Sequence, residues 1–257
     1  MTNRMKGIPG TVTPDGKYFE DQVVASYQVD GSKKLKPAAF MDIAQEVAFR
    51  AAQVMGFGYD TLLAKGKVWV LSRLHFRFVQ TPRWRQEFRI STWSRGQQGL
   101  FFQREFRLEG ADCQVLGTSS WIGLDVQTRT LSRMEGVLEN IPPECQCDES
   151  VLEAPAPKVA LPRGADASLV ATRTVGYADI DFQGHTNNAR YMVWATECLP
   201  FQEAETREIS DVYIQFNHET KAGDQVSLYR VDEPGAYSIE GRVGDHAAFA
   251  ARIVFKA

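Results

Sequence analysis

The strongest constraint on this 257-residue chain is that it repeats itself. "FMDIAQE" at Phe40–Glu46 aligns with "YMVWATE" at Tyr191–Glu197, so that Met41 meets Met192, Ala44 meets Ala195 and Glu46 meets Glu197. Asp30 and Asp181 fall in the same register, an offset of 151 residues. Likeness at one fixed offset is the signature of an internal duplication. Each copy then has about 125 residues, enough to bury a core of its own.

The order of elements supports the duplication. In "PAAFMDIAQEVAFRAAQVMG", Phe40, Ala44, Val47, Ala51 and Met55 recur at helical spacing, with Pro37 in the first turn and Gly56 at the end. Runs that tend to alternate polar with apolar residues follow: "VWVLSRLHFRFV", "EFRISTWSR", "LFFQREFRLEG" and "CQVLGTSSWIGLD". The second half repeats the scheme. "NNARYMVWATECL" puts Tyr191, Trp194, Cys198 and Leu199 on one helical face, and "DVYIQFNHE", "DQVSLYRV", "AYSIEGRV" and "AAFAARIVFKA" read as strands. Each half is expected to be one helix followed by an antiparallel sheet that wraps it, an α+β arrangement in tandem. Between the halves, residues 135–164 hold five prolines and no sustained period, the composition of a linker. The expected domains are therefore 1–134 and 165–257.

Bulk properties exclude several classes. A net charge of −3 gives no pull towards nucleic acid or acidic membranes. No apolar run approaches the ~18 residues of a membrane span. The N-terminus lacks a signal-peptide hydrophobic region, so a cytoplasmic location is expected. Cys113, Cys145, Cys147 and Cys198 match no redox or zinc spacing and are read as reduced thiols.

The chemistry concentrates in "DIDFQGHTNNARYM", Asp179–Met192, at the entrance to the second helix. If the stretch is roughly extended, Asp181 and Gln183 share one side, with His185 near them. Gly184 can turn the chain into the helix. Backbone amides around Asn187 to Ala189 would then point out of the helix N-terminus, where an oxyanion is stabilised. That set suits water attack on an acyl carbonyl. The competing reading is capping, which Asn187 and Asn188 alone would satisfy. Under the 151-residue offset Gln183 faces Ser32 and His185 faces Lys34, so the first half keeps the frame without the histidine. No G-x-S-x-G suggests a serine nucleophile, and no H-E-x-x-H spacing supports a metal.

"YADIDFQGHTNNARY" resembles the signature of acyl-acyl-carrier-protein thioesterases, with Asp181, His185, Asn187, Asn188, Arg190 and Tyr191 matching. "SSWIGLDVQTRTLSRM" resembles the end of that family's first repeat, with Trp121, Thr128, Arg129 and Leu131 in place, and "FNHETKAGDQV" resembles the strand that carries a glutamate, here Glu219. The resemblance covers nearly the whole chain from about Phe19. It implies two hotdog units in one chain and hydrolysis of a fatty acyl thioester on acyl carrier protein, without a cofactor or metal. Gln183 departs from the family's asparagine by one methylene. Thr220 stands where plant relatives often have cysteine, so no thiol nucleophile is available there.

On that basis Glu219 and His185 are the candidates to position and deprotonate water. Asp181 would orient His185 or the helix entrance, and Gln183 with the helix amides would hold the carbonyl oxygen. A covalent carboxylate route stays open. Family precedent puts the acyl chain in the first half, where Met41, Val47, Met55, Trp69, Leu71 and Phe101 are candidates. Between Lys67 and Arg95 there are seven basic residues and one acid, and Arg73 and Arg77 are expected to share an outer face that receives acidic carrier protein and its phosphopantetheine arm. Two other readings are an acyl-coenzyme A thioesterase and a non-catalytic acyl-binding protein. Oligomeric state is left open, a homodimer included.

Overall fold

A computed structural model describes residues 9–132, 134 and 147–256. Along the first half run β1 (Thr11–Val12), β2 (Tyr18–Val23), α1 (Pro37–Val54), α2 (Tyr59–Leu63), β3 (Lys67–Gln80), β4 (Glu87–Gln98), β5 (Phe101–Gly110), β6 (Cys113–Asp125) and β7 (Leu131–Ser132). The second half supplies β8 (Ser168–Thr174), α3 (Asn188–Glu197), α4 (Phe201–Thr206), β9 (Ile209–Phe216), β10 (Gln225–Glu233), β11 (Ala236–Val243) and β12 (His246–Phe255).

The duplication is visible atom by atom ahead of each long helix. A 3-10 turn at Ser26–Gln28 has its counterpart at Tyr177–Asp179. The bridge Val29 to Leu35 has its counterpart in Ile180 to Thr186. Between the bridged residues the chain makes the same tight turn twice, with Lys33 at φ 63° and Gly184 at φ 80° in the left-handed position. Helices α1 and α3 then begin at Pro37 and Asn188, in register. Every pair keeps the offset found in the sequence.

Helix α1 forms because Pro37 presets the first turn and because Phe40, Ala44, Val47 and Ala51 make one apolar stripe, all buried against the sheet. Gly56, at φ 84°, ends it. Helix α3 is shorter and starts on the Asn187 side chain, which accepts a hydrogen bond from the Ala189 amide at 2.8 Å. The two helices pack against each other. Each half is thus a hotdog unit, a helix held in a curved antiparallel sheet.

The sheets, however, are not separate. The strand order is β1-β2-β4-β5-β6-β3-β9-β12-β11-β10-β8, with β7 on β6, one 12-stranded sheet. The two halves meet edge to edge through β3 and β9, which pair from Arg73–Gln215 to Arg77–Asp211. The two halves are thus joined by a shared sheet as well as by the chain between them. Unpaired strand edges are costly to leave open, and here each unit covers the other's. His75 and Tyr213 stack across the seam with ring centroids 4.1 Å apart. His75 Nε2 lies 2.8 Å from Asp211 Oδ1, and Arg77 Nε donates to the same oxygen at 3.0 Å. Burial alone would raise the Asp211 carboxyl, but these partners hold it down at about 2.

The connection is also more than a tether. Residues 135–146 lie outside the described residues, but 147–159 run over the outer face of the sheet. Trp93 Nε1 donates to Glu149 O at 2.8 Å, the Glu149 carboxylate pairs with Lys17 and Arg107, and the Val151 amide donates to Glu105 Oε2 at 3.2 Å. Leu152, Ala156 and Val159 of this strap are themselves buried. The Val159 amide finally donates to Gln215 Oε1 on β9, so the strap crosses from one unit to the other. Cys113, Cys147 and Cys198 are free thiols; Cys145 lies outside the described residues.

Candidate active site

The stretch 181–185 is not extended. The Asp181 amide donates to His185 O at 2.9 Å and the Gly184 amide to Asp181 O at 3.0 Å, which closes a tight loop. Asp181 Oδ1 accepts from the Gln183 amide at 2.9 Å, so its carboxylate shapes the turn, and no hydrogen bond joins it to His185 among the described residues. Glycine at 184 relieves the left-handed backbone that this loop needs. Asp179 is the second organiser. Its carboxylate accepts from the Gly176 amide at 2.9 Å and from Arg190 Nε at 3.1 Å, and its carbonyl accepts from the Asn187 amide at 2.8 Å.

These bonds decide which helix amides are free. Of the three expected to face an oxyanion, Asn187 N is held by Asp179 O and Ala189 N by the Asn187 side chain. Only Asn188 N, in the first turn of α3, carries no intramolecular hydrogen bond among the described residues. Asn187 is therefore a cap, further fixed from α1 by Gln45 Nε2 at 3.2 Å.

His185 and Glu219 come together: Nε2 lies 3.2 Å from Glu219 Oε2, with the side chains 39% and 33% exposed, open enough for water. Glu219 also receives Arg129 Nη2 at 2.5 Å and lies 3.6 Å from Lys221 Nζ. Arg129 belongs to the first half. Asp125 shapes its loop by accepting from the amides of Gln127 and Thr128 at 3.0 and 2.8 Å, and Arg129 sits at φ 53°. Behind the pair is a buried hydroxyl cluster. Thr220 Oγ1 lies 2.7 Å from Thr186 Oγ1 and 2.9 Å from Tyr191 OH, and the Thr220 amide donates to Tyr191 OH at 3.0 Å. Thr186 follows His185 and Thr220 follows Glu219, so this cluster sets the distance between those two side chains.

One cavity of about 760 Å³ opens on this pair and runs into the first half. Asp181, Gln183, His185, Asn187, Asn188 and Glu219 line its polar end, and Trp69 and Leu71 line its apolar wall with Phe57, Leu62, Phe102 and Trp121. Gln183 is exposed, and its side-chain amide makes no hydrogen bond among the described residues. At the mouth Phe182 is 70% exposed and packs edge-on against Phe49 and Tyr59.

Six sequence candidates lie elsewhere. Met41 and Val47 are fully buried between α1 and the sheet and do not reach the cavity. Arg73 and Arg77 sit on the β3 seam. Arg77 is taken by Asp211 and Glu153, and Arg73 lies over the Phe101 ring at 4.8 Å. The expected free basic face is corrected at Arg77, because β9 pairs there and brings Asp211 beside it. Met55 is likewise core, and Phe101 packs under Arg73 rather than lining the cavity. Sequence reasoning missed Thr186, Gln45 and the aromatic mouth. For Phe182 the signal was present, an apolar residue inside a polar motif.

Comparisons with known proteins agree with this geometry. The family description for the acyl-ACP thioesterase N-terminal domain matches residues 15–141, and that for the C-terminal domain matches residues 164–246. The chain is 27% identical over 249 residues to oleoyl-acyl carrier protein thioesterase 2, chloroplastic, of Arabidopsis thaliana, covering 87% of this chain and 65% of that protein. It is 25% identical to the palmitoyl-acyl carrier protein thioesterase, chloroplastic, of Gossypium hirsutum, across 82% of this chain and 54% of that one. The chain thus spans a little under two thirds of the length of the Arabidopsis relative. In fold it superposes on an acyl-ACP thioesterase from Bacteroides thetaiotaomicron with a TM-score of 0.83 at 24% identity, over 94% of this chain and 98% of that one. A 12:0-ACP thioesterase from Umbellularia californica superposes with a TM-score of 0.81 at 20% identity, over 93% and 97%. With both halves matched in order by the two domains of one family, this chain belongs to the acyl-acyl-carrier-protein thioesterases.

Proposed function

We propose that the protein hydrolyses the thioester between a fatty acyl chain and acyl carrier protein, releasing free fatty acid and ending elongation. The observation that carries this reading is the shared cavity. Its chemical end is built from the second half and its apolar wall from the first, so a thioester at His185 and Glu219 leaves its alkyl chain against Trp69, Leu71 and Phe102. The first unit binds the chain and the second performs the reaction. Leaving a chain of this length in water would be costly, at about 0.8 kcal/mol per buried CH₂.

In the mechanism, a water molecule is held beside the His185–Glu219 pair, and one of the two takes its proton as the oxygen attacks the carbonyl carbon. The carbonyl oxygen becomes an oxyanion and accepts from Asn188 N–H and the Gln183 amide. The intermediate collapses, the carbon–sulfur bond breaks, and the phosphopantetheine sulfur leaves with the proton that the base took up. Asp181 contributes by holding the loop in which His185 sits. Arg129 positions Glu219 from the other unit. No helix among the described residues is long and apolar enough to cross a membrane, and a cytoplasmic setting is part of the proposal, whereas the plant relatives are named chloroplastic.

The test is hydrolysis of a panel of acyl carrier proteins charged with different chains, beside the matching acyl-coenzyme A. Carrier-bound substrate should be turned over faster, and His185→Ala should lower turnover about 10²-fold or more with the fold intact. Equal activity in the folded variant, or no release of fatty acid from any carrier substrate, rejects the reading.

A further inference from the structure

The loop that carries His185 also carries a side chain that its chemistry does not require. Phe182 stands between Asp181 and Gln183, is 70% exposed, and lines the cavity at its mouth. Left in water, an aromatic ring forgoes the burial that ordinarily stabilises it. Its ring contacts are both with the first half: Phe49 at 6.0 Å and Tyr59 at 5.2 Å between centroids. Leu63 and Val126 also line the cavity, and each is 43% exposed. The mouth is thus rimmed by apolar side chains that an alkyl chain passes on its way from the thioester to Trp69 and Leu71.

The two sides of the mouth are held differently. In the second half, Asp181 N–H donates to His185 O, Gly184 N–H donates to Asp181 O, and Ile180 bridges Thr186. Phe182 and His185 therefore share one small closed loop of backbone, and a displacement of the one is felt by the other. In the first half, residues 58–65 are anchored at their ends. Phe57 N–H donates to Ala52 O at 3.0 Å, Phe57 O accepts from Trp69 Nε1 at 3.3 Å, and Gly66 O accepts from Val126 N–H at 2.9 Å. Between these anchors the backbone bonds are internal: Leu62 to Gly58, Ala64 to Asp60 and Lys65 to Leu62. Helix α2 lies in this segment, with Tyr59 against Phe182 and Leu62 fully buried in the cavity wall.

With the cavity empty, Phe182 has two edge contacts and water over most of its surface. A bound chain covers the ring, so the loop gains apolar contact only when the cavity is filled. A ligand shifts a conformation by what it gains in one state over the other. Here that gain falls on the loop that places His185 Nε2 3.2 Å from Glu219 Oε2.

We propose that Phe182 couples the filled cavity to His185: a chain that reaches the aromatic mouth pins the 181–185 loop, and with it His185 beside Glu219, so that the chemical step itself is faster on a long acyl chain than on a short one. The inference rests on the acyl-thioester reading of the same cavity. It makes Phe182 a positioning residue that acts through His185, and it places part of the choice between long and short chains in the reaction step rather than in binding. Contacts to non-reacting parts of a substrate raise the rate in this way when they are used to position the reacting groups.

The test uses the full chain and acyl carrier protein charged with a series from acetyl to palmitoyl, in single-turnover reactions with saturating enzyme, so that binding drops out. In the wild type the rate should rise with chain length. Phe182→Ala should lower the palmitoyl-to-acetyl rate ratio about 10-fold, less than the ~10²-fold that a displacement of about 1 Å can cost. Phe182→Tyr, which keeps the ring, should restore it. Because Phe182 is 70% exposed, its truncation leaves the core intact. A second measurement needs no turnover. The ring signals of His185 in NMR spectra, identified by their loss in His185→Ala, are followed as 1-dodecanol, an uncharged chain, fills the cavity. They should shift several-fold more in the wild type than in Phe182→Ala. A flat chain-length profile in the wild type overturns the proposal, as does an unchanged ratio in Phe182→Ala, a loss confined to KM, or equal His185 shifts in the two proteins. If no carrier substrate is hydrolysed, the hydrolase reading fails, and the His185 shifts still decide this one.

Discussion

Lys34 is the counterpart of His185, and from the sequence its replacement by alanine is expected to leave turnover almost unchanged. The structure keeps that expectation and adds a cost in stability. Lys34 is 7% exposed, and its Nζ donates to Glu205 O at 2.9 Å and Arg207 O at 2.8 Å, at the C-terminal end of α4. Ser32, the counterpart of Gln183, donates its hydroxyl to the same Glu205 carbonyl at 2.9 Å. The first turn therefore clamps the second unit. Hydrogen bonds from a charged donor contribute about 1.5–3 kcal/mol each, and a cation at a helix C-terminus adds a little more. Because Glu205 is exposed, water can recover part of the loss at its carbonyl. Lys34→Ala should then destabilise the fold by about 3 kcal/mol, a fall in Tm of about 6–12 °C for a chain of this size. Turnover per folded molecule, measured well below Tm, should change less than twofold. His185→Ala should do the reverse, because its side chain is more than a third exposed and its ionic partner is Glu219. Thermal melts beside initial rates for both variants decide the matter. A Tm within about 2 °C of wild type for Lys34→Ala would refute the clamp.

Two further expectations follow from the site and the seam. Thr220→Val removes the hydroxyl that joins Thr186 to Tyr191, so kcat should fall about 10-fold as His185 and Glu219 lose their spacing, with KM little changed and with rescue by Thr220→Ser; an unchanged kcat would show that the cluster only packs. At the seam the Asp211 carboxyl lies lower in the folded state, at about 2, than its ordinary 3.8, so it contributes stability above about pH 4 that is lost as pH falls towards 2. Denaturant melts from pH 7 to pH 3 should show a loss of roughly 1 kcal/mol from this group that Asp211→Asn no longer shows, and parallel pH curves for the two proteins would argue against it.

What the sequence made legible follows from how far each signal reaches. Helices α1 and α3 and the long strands were readable because period and caps are local; β11 was placed to the residue at Ala236–Val243. Strands β2 and β8 went unread, since "YFEDQV" and "SLVATRT" are short and carry no clear alternation. The β3–β9 seam was out of reach because an edge strand's partner is not written in its own period. That one omission produced the misplaced basic face, for Arg77 reads as solvent-facing until Asp211 is set beside it. The strap 147–159 was taken for a linker because its anchors, Glu149, Val151 and Val159, are scattered among prolines. In the site, residue types were legible but roles were not. Asp181 and Asn187 were chemically suitable for catalysis, and in the structure the Oδ1 of each also accepts from a nearby backbone amide.

The duplicated turn explains why the chemistry needs both copies. The same loop, with the same left-handed residue and the same bridge, sits ahead of each helix. In the second copy it holds His185 at the edge of an open cavity; in the first it holds Lys34 against the end of α4. A clamp and a reactive histidine are alternative uses of one scaffold, because the turn delivers whichever side chain it carries to the partner unit. The partner facing His185 is the first half: Phe49 and Tyr59 close on Phe182, Gln45 fixes Asn187, and Arg129 reaches Glu219. The edge-to-edge seam holds those groups in place, and joining the units in one chain keeps the second at high effective concentration beside the first. On the proposed reading neither half contains the whole site: the second supplies His185 and Glu219, and the first supplies the apolar wall and Arg129, which pairs with the Glu219 carboxylate.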